Sequence, residues 1–134
     1  MIYVLNIYRE KLEFPSLIRK IVQMHNLIKD KYKHSVKVLV EDKASGTQII
    51  QSLRKDHNIH PIAIKPEHDK KARLMGISHF IENGVCLFPG HNPHWWSDFE
   101  NELLKFPQGK YDDQCDAFSQ GLNYPDKATA FDTV

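Results

Sequence analysis

Val36-Lys37-Val38-Leu39-Val40-Glu41-Asp42-Lys43-Ala44-Ser45-Gly46 is the stretch on which the fold turns. Its first five residues are mostly β-branched and apolar, as in a buried strand of an α/β sheet, and two acids follow at the carboxyl end. Ligands of such folds gather beyond the carboxyl ends of strands, so an acid there is placed for function more often than for packing. Lys43–Thr47 is a turn of small residues. Gln48–Lys55 then reads as a helix with Ile49, Ile50 and Leu53 inward.

Working outward, the same alternation recurs. Residues 2–8 (Ile-Tyr-Val-Leu-Asn-Ile-Tyr) read as a strand, and Glu13-Phe14-Pro15-Ser16 opens a helix to about Lys33. That helix carries Leu17, Ile18, Ile21, Val22, Leu27 and Ile28 at helical spacing. His60–Lys65 is a short strand near an edge, given Pro61. Within 66–83 lies a basic helix, with Leu74, Met75, Ile77, Phe80 and Ile81 as its buried side and Gly84 ending it. Val85–Pro89 is a further strand. Trp95–Phe106 is a helix whose stripe is Trp95, Trp96, Phe99, Leu103 and Leu104. Strands alternating with helices make an α/β fold.

The second acidic stretch is Tyr111-Asp112-Asp113-Gln114-Cys115-Asp116-Ala117, where a Pro- and Gly-containing loop gives way to a helix running to about Leu122. Asp112 suits the N-cap, and acids in a first turn sit well against the positive end of the helix dipole. Offsets of three and four put Asp116 on one face with Asp113 and Asp112. Carboxylates converging in this way suit a hard divalent cation, Mg²⁺ or Mn²⁺, although further acids must come from elsewhere. Glu41-Asp42 is the best supplier. A strand-end acid paired with an acid on a late helix is the layout of a metal-dependent nuclease of the ribonuclease H-like kind. In such sites two cations about 4 Å apart bracket the scissile phosphate.

The 134 residues suit one domain, with 41% hydrophobic residues, 26% charged residues and a formal net charge of +1. Bulk charge therefore calls for no nucleic-acid or membrane partner. Cys86 and Cys115 have no CxxC spacing and read as reduced thiols. Nothing reads as a signal peptide or a membrane span, and the expected location is the cytoplasm. His91-x-x-His94 and His57-x-x-His60 lack a cysteine or acid at zinc-ligand spacing. Trp95 and Trp96 read as core or boundary residues. Ser45 and Cys115 have no His/Asp constellation for nucleophilic catalysis.

Several of these stretches resemble the nuclease domain of tailed-phage terminase large subunits. They are Val38–Gly46, Pro61–Pro66 with Asp69-Lys70 and Arg73, Phe99–Pro107 and, most closely, Gly109–Gln120. The resemblance runs in order from about residue 2 to 124, leaving 125–134 as a frayed tail. It implies a ribonuclease H-like fold and a divalent-metal endonuclease that cuts concatemeric double-stranded DNA for packaging. By motif, Glu41 looks like the second metal-binding acid and Asp113 the third, with Asp112 and Asp116 supporting; Lys65, Lys70 and Arg73 look like DNA contacts. No residue matches the family's first acid, which lies on an earlier, central strand, and no G-x-x-x-x-G-K-[ST] motif of an ATPase motor occurs. The expectation is a domain lacking its first strands, a split or decayed prophage gene product. Ile2–Tyr8 would then belong to antiparallel strands bordering a gap. Such a chain is expected to self-associate, to recruit a polypeptide that supplies the missing strand and motor, or to rearrange its sheet. The competing expectation is a non-catalytic remnant that binds DNA or a partner.

Overall fold

The computed structural model describes residues 2–33, 35–65, 69–106, 108–124 and 130–133, except the side chains of Lys70, Lys71, Leu74 and residues 130–133. The elements in order are β1 (Ile2–Ile7), α1 (Phe14–Tyr32), β2 (Leu39–Glu41), α2 (Ser45–His57) and β3 (Ile62–Ile64). They continue as α3 (Lys70–Glu82), β4 (Cys86–Leu87), α4 (Trp96–Lys105), α5 (Asp113–Asn123) and β5 (Ala130–Thr133). The alternation is the expected α/β pattern. The chain forms two compact units, one built from residues 1–9 and 67–134 and the other from 10–66.

In the first unit β1 is the middle strand of a parallel three-stranded sheet in the order β4-β1-β5. Ile2 lies against Cys86 on one side, and Tyr3 against Ala130 on the other. This corrects two expectations. Ile2–Tyr8 does not join antiparallel strands, because β4 follows α3 and β5 follows α5, and helical crossovers return the chain to the same end of the sheet. The final residues are not all frayed either: 130–133 pair along the second edge of β1, a segment too short for alternation to be legible. Residues 125–129 lie outside the described residues.

Strand periodicity would put Val4 and Asn6 on one face, yet Val4 and Ile7 are the two buried residues of β1. The register with β5 shifts between Val4 and Asn6, so one extra residue on β1 changes the phase and brings Ile7 inward. Val4 and Ile7 join Ile77 of α3, Cys86, Trp95, Phe99, Phe106 and three residues of α5, Cys115, Phe118 and Leu122, in one core. Phe99 and Phe118 meet edge to face with ring centroids 5.3 Å apart.

Two helices bury most of their expected stripes, Ile77, Phe80 and Ile81 on α3 and Trp95, Trp96, Phe99 and Leu103 along α4, but each turns one apolar residue outward. Met75 and Leu104 are 72% and 78% exposed. Arg73 and Glu102 are buried in their place. Arg73 lies four residues before Ile77, and Glu102 lies between Phe99 and Phe106, so each occupies a core-facing helical position.

In the second unit β2 and β3 form a parallel pair, Leu39 opposite Ile62 and Glu41 opposite Ile64. Ile18 of α1, Ile49 and Leu53 of α2, and Ile59 form its core, with Leu17, Ile21, Val22, Val38 and Val40 packed against it. Leu27, counted in the apolar stripe of α1, is 65% exposed. Pro15 stands in the first turn of α1, where its missing N–H is harmless. Lys33, at φ 57°, closes the other end with a 3.0 Å bond from its N–H to the Lys29 carbonyl.

Candidate active site

The acids of the second motif sit where the sequence places them. Asp112 is the N-cap residue of α5, and Asp113 and Asp116 lie in its first turn. The cap itself is supplied differently. Asp112 makes no side-chain cap bond. Instead Glu102, reaching from α4, accepts the Gln114 N–H at 2.8 Å and the Cys115 N–H at 3.2 Å through Oε1. Its Oε2 accepts the Gln114 side-chain amide. Glu102 and Gln114 are both only 6% exposed. A buried carboxylate thus meets the unsatisfied amides and positive dipole of the helix start, an environment in which a buried negative charge is well tolerated.

Arg73 of α3 holds the same turn from another side. Its Nη1 donates to Asp116 Oδ1 in an ion pair whose side chains are 10% and 21% exposed. Among the described residues, Arg73 Nε is buried with no hydrogen-bond partner. Two residues expected in separate roles, DNA contact and metal ligation, therefore engage each other. Partly buried pairs of this kind couple by about 2 kcal/mol, since removing one partner strands the other charge. A double-mutant cycle with Arg73→Met and Asp116→Leu, read by urea denaturation, is expected to give that coupling. Additive losses would show the pair contributes nothing.

Cys115, one residue before Asp116, reports the local field. Burial, reinforced by Glu102, Asp116 and Asp112, pushes its thiol up to about 12. Cys86 is likewise raised by burial, to about 11. Both are free, buried thiols, so neither is an activated nucleophile.

In the second unit Glu41 ends β2 and is half-buried, and Asp42 follows it, exposed. The Asp42 N–H donates to the Ile64 carbonyl at 2.8 Å, continuing the β2–β3 pairing by one residue. Asp42 Oδ1 accepts the Thr47 hydroxyl at 2.8 Å. The connection is tight: Lys43 N–H bonds the Glu41 carbonyl at 2.9 Å, and Gly46 N–H bonds the Lys43 carbonyl at 3.0 Å. Ala44 is held at φ 52°, ψ −124°, a conformation that costs a residue with a Cβ about 1–3 kcal/mol. Strain of this kind collects at functional turns, and here it directly follows the strand-end acids.

Of the basic residues, Lys65 is exposed just after β3, and the side chain of Lys70 lies outside the described residues. Asp69 caps α3, its Oδ1 accepting the Ala72 N–H at 3.3 Å. Sequence reading missed Glu102 altogether. The available signal was a charged residue on the buried stripe between Phe99 and Phe106.

Among the described residues no group of three or more His, Cys, Asp or Glu side chains comes together to hold a metal ion. Within the first unit the reason is visible, since Asp116 faces Arg73 and Glu102 is bonded to helix amides. Asp112 and Asp113 alone are too few ligands for a hard cation. Among the described residues of this unit the full donor set is therefore not met.

No helix among the described residues is long and apolar enough to cross a membrane. Comparison with curated proteins and with solved structures finds no match. A protein-family model, the Terminase RNaseH-like domain, matches residues 18–124. That span takes in the strand-end acids, the strained turn after them, Arg73, Glu102 and the whole of α5. The chain belongs to the family of terminase RNase H-like domains.

Proposed function

We propose that this domain is the nuclease of a phage or prophage terminase, a hydrolase that cuts concatemeric double-stranded DNA for packaging. The observation that carries the reading is the family match across both acid-bearing segments, together with the bracing of the α5 acids by two buried charged residues. A turn carrying Asp112, Asp113 and Asp116 repels itself, and holding it rigid is useful where those carboxylates must meet a substrate or ion in one geometry. Asp113 is the exposed acid of the turn and the leading catalytic candidate, with Glu41 as its counterpart from the strand end. Mg²⁺ or Mn²⁺ is the cofactor proposed, with Glu41, Asp112, Asp113 and Asp116 the acids considered for it. When bound, such a cation activates water and offsets charge on the phosphate. Lys65 and Lys70 are proposed phosphate contacts. The burial of Arg73 favours a positioning role, through Asp116, over direct contact with DNA.

The engagement of Asp116 by Arg73 favours a second reading, a non-catalytic module that binds DNA or a packaging partner. Plasmid nicking with Mn²⁺ separates the two. The nuclease reading expects metal-dependent cleavage that falls at least about 100-fold in Asp113→Ala. Salt-sensitive DNA binding without cleavage would establish the module instead.

A further inference from the structure

We propose that Arg9, Lys110 and Tyr111 form a contact for the sugar–phosphate backbone of duplex DNA beside the α5 acids. The inference rests on the nuclease reading and adds to it a site for the substrate's backbone. Arg9 lies two residues past the carboxyl end of β1, the middle strand of a parallel sheet, where ligands of such sheets gather. Its guanidinium carbon stands 4.6 Å from the centroid of the Tyr111 ring. Lys110 Nζ stands 5.2 Å from the same centroid. The ring is 50% exposed, and both cations are exposed as well.

Two positive groups gathered on one solvent-facing ring make a local excess of positive charge that suits an anionic strand. The acids that begin at Asp112 repel DNA phosphates, so a duplex approaching them needs cations at their border. Lys110 and Tyr111 are the residues immediately before Asp112, and the ring draws in Arg9 from a distant part of the chain. Cation–π attraction at an exposed site is weak, so it orients these cations without withdrawing them from a phosphate.

The test is fluorescence anisotropy of a labelled duplex with the full chain in EDTA, across a salt series. Arg9→Ala with Lys110→Ala is expected to weaken binding about tenfold and to reduce the slope of log K against log salt by about two. Tyr111→Ala is expected to weaken binding about threefold, and Tyr111→Phe to leave it unchanged. Arg9→Lys with Lys110→Arg, which keeps both charges, is expected to bind within about twofold of wild type. Lys29→Ala with Lys55→Ala removes the same charge elsewhere and is expected to leave the slope nearly intact. Equal losses from the two double-alanine variants would overturn the proposal, as would tighter binding of a single strand than of the duplex. A wild-type chain that nicks plasmid with Mn²⁺ but shows no salt-dependent duplex binding would overturn this contact and leave the nuclease reading standing. Duplex binding that depends on the trio, without any cleavage, would do the reverse.

Discussion

Gly46→Ala is expected to destabilise the protein by about 4 kcal/mol, or to prevent folding of the segment around β2. A Cβ at position 46 would overlap the Glu41 carbonyl oxygen and stand 3.1 Å from its carbon. Both are backbone atoms, so no side-chain rotation relieves the overlap. The strand end or the start of α2 has to move, and Glu41 moves with it. Ala44→Gly is the matching control, because it removes a Cβ from a residue at φ 52° two positions earlier. Its expected effect is neutral or mildly stabilising, as relief of strain offsets the added backbone freedom of glycine. Urea denaturation of the two variants checks both signs. An unchanged midpoint for Gly46→Ala would mean the turn is not built this tightly.

Glu102→Leu is the second large effect, expected at about 3 kcal/mol. Leucine fills similar volume, so the loss isolates the polar role. The Gln114 and Cys115 N–H groups and the Gln114 side-chain amide lose their common acceptor in a buried setting. Each unsatisfied buried donor costs about 1–3 kcal/mol, reduced where water or Asp112 takes over a bond. Glu102→Gln keeps one oxygen for the two amides, and the Gln114 amide can rotate to present its own oxygen. That variant is expected to lose only about 1 kcal/mol, the charge-assisted part of the cap. Hydrogen exchange at the Gln114 and Cys115 amides gives a local readout, faster in Glu102→Leu and close to wild type in Glu102→Gln. Matching melts for all three proteins would show that α5 needs no cap from α4.

Much of this was legible in the chain itself, for a physical reason. Val38–Val40 and Ile62–Ile64 are short runs rich in β-branched residues beside turn residues, and Phe99 and Leu103 fall at helical spacing. Local periodicity therefore revealed most elements and placed Glu41 at a strand end and Asp113 in a first turn. It misjudged Met75 and Leu104 because hydropathy alone counts every apolar residue toward the buried face. On the real helices Arg73 and Glu102 share the inward face with Ile77 and Phe99, while Met75 and Leu104 turn outward. A polar residue on a buried stripe is legible as an anomaly, but its partner is not, since Asp116 lies 43 residues from Arg73 and Gln114 lies 12 from Glu102.

The sequence by itself determined the alternation of strands and helices, the two acidic segments and the family they spell, because each depends on residues a few positions apart. Tertiary structure alone decided that β1 runs between two parallel neighbours, that 130–133 form a strand, and that Glu102 rather than Asp112 caps α5. Strand pairing and the satisfaction of buried charge are settled between distant segments, where an unpaired edge or an uncompensated carboxylate is too costly to leave and the nearest suitable partner in space takes it.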